Sequence, residues 1–144
     1  MEVPVQSEKG IDINALEGLL KRHQIKACWC MTNFQNPTGA LLSDAAKQDL
    51  VALLAKHQVP LIEDDVYSEL YFQKHKPKPA LAFAEPGAVI HCGSFSKCLA
   101  PGHRVGWVIA GPYQQALARN KLMTTLSANV PAQLGIAHYL QQSA

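Results

Sequence analysis

The chain has 144 residues and a formal charge of +2, about one domain on a prior of ~150 residues. Apolar residues make up 48% and charged residues 17%, which excludes the low-hydropathy, high-charge regime of disordered chains. Thirteen basic residues against eleven acidic ones exclude the strong basic field of a nucleic-acid binder.

In chain order, residues 11–24 (IDINALEGLLKRHQ) predict a helix. Asp12 or Asn14 can cap it, and Leu16, Leu19 and Leu20 form its apolar stripe. Residues 27–33 (ACWCMTN) predict a buried strand, followed by the turn Asn36-Pro37-Thr38-Gly39. Ser43 then caps a second helix running to about His57, with Asp44 in its first turn and Leu50, Leu53 and Leu54 on one face. Val59 to Ile62 is a short apolar strand that ends in the acidic triplet Glu63-Asp64-Asp65. Residues 73–80 (QKHKPKPA) predict an exposed loop, and its lysines read as solvated. Strands follow at Ala88–Cys92 and Val105–Ala110, then helices at 112–124 and from Pro131 to about Gln141, the latter with Pro at its first position.

Strands alternating with helices predict an α/β fold with a mostly parallel sheet between two helical layers. The connection from Gly93 to Arg104 is too short for a crossover helix, so the strand at 105–110 is expected antiparallel to its neighbour. Ligands of such sheets bind beyond the carboxyl ends of the strands, and polar residues cluster there, at 33–36, 63–67 and 93–97. No apolar run approaches ~18 residues, so no membrane span is indicated, and MEVPVQSEKG lacks the apolar core of a signal peptide. Cys28, Cys30, Cys92 and Cys98 are not spaced as zinc ligands, nor are the six histidines. The thiols read as reduced and mostly buried, which points to the cytoplasm. His91, His103 and Trp107 read as structural, Trp107 as core.

Four short segments carry the chemistry: Asn36-Pro37-Thr38-Gly39, Asp64-Asp65-Val66-Tyr67, Ser94-Phe95-Ser96-Lys97, and Arg104-Val105-Gly106. Taken singly, each has a structural reading: a turn, a helix cap, a solvated lysine, a surface arginine. Their order and spacing are more specific. Asn36 to Asp64 is 28 positions, Asp64 to Tyr67 three, Asp64 to Lys97 33 and Lys97 to Arg104 seven.

This set resembles the large domain of the fold-type-I pyridoxal 5'-phosphate (PLP) enzymes, the aspartate-aminotransferase superfamily. The string S-F-S-K-x-L-A-P-G-x-R-x-G-W, Ser94 to Trp107, is its most specific part. It resembles class I/II aminotransferases of the kynurenine/2-aminoadipate type and the aminotransferase-like domains of GntR/MocR-type regulators. The resemblance implies that Lys97 forms the Schiff base with the cofactor aldehyde and moves the α-proton. It implies that Asp64 pairs with the ring nitrogen, with Asp65 and Glu63 as the alternatives in the triplet. Tyr67 and Asn36 would serve the phenolic oxygen, and Ser94, Ser96 and Arg104 the phosphate, for which the arginine fork suits two oxygens at once.

The resemblance runs from Val3 through the helix at 131–141, a minority of a family member's length. Residues 1–144 therefore read as a single partial domain, the central part of a large, cofactor-binding domain, without the N-terminal part and the C-terminal small domain. Activity of this chain alone is not expected. The implied function is transamination between an amino acid and a 2-oxo acid by a homodimer. The alternative is an effector-sensing domain of a GntR/MocR-type regulator, with DNA bound through a separate N-terminal domain.

Overall fold

The computed structural model describes residues 1–142. A two-residue hairpin, β1 (Val5–Gln6) and β2 (Gly10–Ile11), leads into α1 (Ile13–Arg22). Asp12, rather than Asn14, caps that helix, its Oδ1 accepting from the Ala15 amide at 2.9 Å. Then come β3 (Cys28–Cys30), α2 (Asp44–Lys56) with its Ser43 cap, β4 (Leu61–Asp64), β5 (Val89–Ser94) and β6 (Gly106–Ile109). Two helices close the described chain, α3 (Gln114–Thr125) and α4 (Val130–Gln142). Pro131 stands at the second position of α4, not the first.

Four strands form one sheet in the order β3-β4-β5-β6. The first two pairings are parallel and β5/β6 is antiparallel, with Ser94 opposite Gly106 and Gly93 opposite Trp107. The α/β class and the single antiparallel strand are thus as the sequence predicts, and the short 95–105 connection is the reason.

Strand parity decides what each residue meets. Leu61 and Glu63 of β4, and Val89, His91 and Gly93 of β5, are buried, while Ile62, Asp64, Ile90, Cys92 and Ser94 alternate with them and are half-buried. The buried face packs on Leu16 and Leu20 of α1 and Leu50 and Leu54 of α2. Two expectations fail at the sheet's edges. Trp29 of the supposedly buried β3 is 64% exposed, and β6 is exposed throughout, with Trp107 at 43%. An edge strand has a neighbour on one side only, so its apolar pattern does not guarantee burial. Ala80 also departs from the exposed loop assigned to 73–80: it is fully buried.

Beneath the carboxyl end of β4 lies a buried polar layer. Glu63 is fully buried and accepts from Thr32 Oγ1 at 2.5 Å, the Ala80 amide at 2.5 Å and the Leu81 amide at 3.2 Å. His91 Nδ1 lies 2.7 Å from Glu63 Oε2, and a carboxylate has no hydrogen to give, so Nδ1 donates. Burial alone would push Glu63 up; the bonds from His91, Thr32 and Ala80 outweigh it and hold the carboxyl below its usual 4.5. Asp65 accepts from Asn33 Nδ2 at 2.9 Å, and burial pushes it above its usual 3.8. Lys47 Nζ donates to Asn33 Oδ1 and to the Lys78 carbonyl, each at 2.7 Å, and burial pushes its amine below 10.5.

Two outcomes follow from this packing. A Cβ at Gly93 would lie 2.2 Å from Trp107 Cζ2. Gly93→Ala should therefore cost about 1–3 kcal/mol through overpacking, read by urea unfolding with Trp fluorescence. Glu63, held low when folded, gives stability that is fully present above pH 4.5 and lost as pH falls through its folded value. Asp65, held high, has the opposite sign. Glu63→Gln should lower stability at neutral pH and flatten the acid limb of an unfolding series; an unchanged limb would remove Glu63 as its source.

Candidate cofactor site

The turn after β3 is organised by Gln35. Its backbone closes the turn, Gln35 N–H donating to the Ala40 carbonyl at 2.9 Å and the Gly39 amide donating to the Gln35 carbonyl at 2.6 Å. Its side-chain oxygen accepts from both the Thr38 amide and the Thr38 hydroxyl. Gly39 sits at φ +73°, where a side chain is disfavoured, and Asn36-Pro37 is cis. Asn36 is exposed, its backbone N–H directed at Met31 Sδ at 3.5 Å, and its side-chain amide makes no hydrogen bond among the described residues.

At the end of β5 the chain leaves the sheet in a tight loop. The Phe95 amide donates to the Val105 carbonyl at 3.1 Å, and the Leu99 and Ala100 amides both return to the Phe95 carbonyl. Ser94 Oγ accepts from the Ser96 amide at 3.0 Å, and Ser96 Oγ accepts from Arg104 Nη1 at 3.2 Å. Arg104 also donates to the Pro101 carbonyl at 3.2 Å and lies at φ +53°, a left-handed conformation costly for a non-glycine residue. One arginine and two hydroxyls thus converge on one small loop, beside Lys97.

Lys97 is exposed, and its Nζ lies 5.8 Å from the centre of the Tyr67 ring. Asp64 ends β4 opposite Cys92, on the half-buried face that also carries Ser94. Its Oδ1 is buried without a hydrogen-bond partner among the described residues. Its neighbours differ: Glu63 and Asp65 turn to the other face and spend their oxygens in the polar layer.

The structure therefore brings together Ser94, Ser96 and Arg104 by direct bonds, and Lys97 with Tyr67 by proximity. Asp64 stands on the same sheet face. No hydrogen bond among the described residues joins Asn36 to the group; its backbone contacts are with Gln35 and Met31. Sequence reasoning placed Asn33 and Gln35 in the polar cluster at 33–36 without a role, and missed Lys47. Lys47 had a readable signal: with Leu50, Val51 and Leu54 it occupies the i, i+3, i+4, i+7 stripe of α2 and is 1% exposed.

Among the described residues no helix is long and apolar enough to cross a membrane, and no group of three or more His, Cys, Asp or Glu is placed to hold a metal ion. All four cysteines are free; Cys28 and Cys30 are buried, Cys92 and Cys98 half-buried. Burial pushes the Cys28 and Cys30 thiols up to about 11 and about 12.

Residues 1–142 match the family model described as aminotransferase class I and II. The chain is 51% identical over 140 residues to the uncharacterized HTH-type transcriptional regulator YdcR of Escherichia coli, covering 97% of this chain and 30% of that protein. It is 39% identical over 109 residues to the 2-aminoadipate transaminase of Thermus thermophilus, covering 73% of this chain and 27% of that protein. The crystal structure of LysN, an α-aminoadipate aminotransferase of Thermus thermophilus complexed with N-(5'-phosphopyridoxyl)-L-leucine, superposes with a TM-score of 0.91 at 34% identity. That superposition covers 98% of this chain and 37% of the enzyme. The chain thus spans about a third of the length of the proteins it matches. Fold, motif order and family model agree, and the chain belongs to the class I and II aminotransferase family.

Proposed function

We propose that this chain is the cofactor-binding part of a PLP-dependent aminotransferase, which moves an amino group between an amino acid and a 2-oxo acid. The observation that carries the reading is the free, buried Oδ1 of Asp64. An unsatisfied buried oxygen costs about 1–3 kcal/mol, so a missing donor is implied. A protonated pyridine nitrogen is such a donor, and the residues present fit the group. Bound PLP supplies an electron sink for the carbanion left when an α-proton departs.

The protein's own residues divide the remaining work. Lys97 Nζ holds the cofactor aldehyde and moves the α-proton as base and then acid. Asp64 keeps the ring nitrogen charged. Tyr67, whose ring lies by Lys97, and the unbonded Asn36 amide serve the phenolic oxygen. Ser94, Ser96 and Arg104, already linked to one another, would hold the phosphate, to which an arginine fork is suited.

This reading places residues 1–144 as the central part of a large domain. The protein carrying it works as a cytoplasmic homodimer, and this chain alone is not active. A second reading rests on one observation: three relatives, at 51%, 39% and 31% identity, are named HTH-type transcriptional regulators. In that reading the same cradle senses an amino acid, and DNA is bound by a separate N-terminal domain.

The test is PLP addition, borohydride reduction and peptide mass spectrometry. A pyridoxyl adduct confined to Lys97 and lost in Lys97→Ala supports the reading; scattered labelling unchanged in that variant overturns it. Asp64→Asn removes the negative charge of a half-buried side chain whose Oδ1 has no partner among the described residues. It should raise the unfolding midpoint of the cofactor-free chain and weaken PLP retention ~10-fold, equivalent to about 1.4 kcal/mol. A variant neither more stable nor weaker in retention would remove Asp64 from the site.

A further inference from the structure

We propose that Lys47 is a positioning residue for the cofactor site: its buried amine fastens the turn that carries Asn36, the strand end that carries Asp64, and the loop at 73–80 to one point on α2. The inference rests on the function proposed above for those residues.

The connections are direct. Lys47 Nζ donates to Asn33 Oδ1 and to the Lys78 carbonyl, each at 2.7 Å. Asn33 Nδ2 passes the tie on to Asp65 Oδ1 at 2.9 Å. Asn33 is fully buried three residues before Asn36, and Asp65 is 5% exposed between Asp64 and Tyr67. Lys78 precedes Ala80, whose amide donates to Glu63. One ammonium thus reaches three segments that no single element connects.

The chemistry explains why a lysine stands on an apolar stripe. The site needs a donor to two oxygens and a positive charge near Asp65, at the end of a side chain long enough to leave the helix. Methionine has the length without the donors, and arginine brings a fork that needs more room. Removing the amine leaves Asn33 Oδ1 and the Lys78 carbonyl unpaired and takes a positive charge away from Asp65, whose remaining ion-pair partner is His91 at 3.8 Å, a costly loss in a buried setting. None of these atoms reaches the open face of Asp64, so Lys47 acts through the residues it holds.

The test compares the unsubstituted chain with Lys47→Met. Where that variant fails to fold, Lys47→Met/Asp65→Asn, which buries no unpaired charge, carries the test. In the cofactor-free chain the Gln35, Leu42 and Asp65 amides, bonded to Ala40, Thr32 and Cys92, should exchange ~10-fold faster or more, while the amides of Leu16 in α1 and of its cap residue His23 keep their rates. Uniform acceleration, or none at 35 and 65, overturns the proposal. In the PLP-loaded chain the NMR shift of the isotope-labelled ring nitrogen should move towards that of the unprotonated ring. Local loosening with an unmoved ring-nitrogen shift also overturns it, because a merely structural lysine gives that result. If the unsubstituted chain takes no pyridoxyl group at Lys97, the proposed function fails, and the exchange pattern alone decides the role of Lys47.

Discussion

A strand that ends in three consecutive acids must find a place for three carboxylates within two residue steps. Period-two geometry forces the solution. Glu63 and Asp65 turn to the face shared with Leu61, where both are buried. Asp64 turns to the other. The buried pair survives because every oxygen that faces the core has something to meet: Thr32, His91 and two loop amides for Glu63, and Asn33 for Asp65. Without those partners, charge burial would outweigh the packing around it. The rest of the site inherits its geometry from this arrangement, since the pairing that satisfies Glu63 and Asp65 also fixes the side on which Asp64 emerges.

The second support is the return of chain at the sheet's other edge. Antiparallel β6 brings Gly106 opposite Ser94, so the loop that starts at Ser94 closes within one turn of where it began. Closure places Arg104 against Ser96 and holds it in a left-handed conformation. That strain is sustained by the backbone bond between Phe95 and Val105 and by the strand pair that follows. Gly93 completes the edge. With no Cβ it lets the Trp107 indole lie across the strand and approach His91, ring centres 5.2 Å apart. The loop after Ser94 and the buried acid layer therefore meet at one point, the His91–Gly93 stretch of β5.

Local signals were legible in the sequence and long-range ones were not. Ser43 and the Asn36–Gly39 turn are visible because their chemistry is satisfied within a few residues. The antiparallel β6 followed from a short connection. Trp107 was misread because burial depends on which strand lies at an edge, which its own residues do not encode. The triplet could have been resolved further: alternation from Leu61 already sends Glu63 and Asp65 inward and leaves Asp64 as the outlier. Lys47 was hidden for another reason. Its place on the α2 stripe was readable, but its partners Asn33 and Lys78 lie 14 and 31 residues away. Only the fold says that a charge there has somewhere to go.

What is rigid and what is open in this site bears on the choice between catalyst and sensor. The foundations are buried: Thr32, Asn33, Lys47, Glu63, Asp65 and His91 are all under a tenth exposed. The groups assigned to the cofactor stand above them, with Asn36, Lys97 and Arg104 exposed. A relative named as a transcriptional regulator and one named as a transaminase both match this same stretch, at 51% and 39% identity. A stretch common to both names does not decide what is done with a bound cofactor. In the proposed reading, a tether, a ring-nitrogen partner and a phosphate loop are assigned to residues of this chain. Choosing a substrate and releasing its product need walls around the exposed side of Lys97. The difference between sensing an amino acid and converting it is thus sought in the segments that cover that open face, since preorganisation from below is equally useful to either.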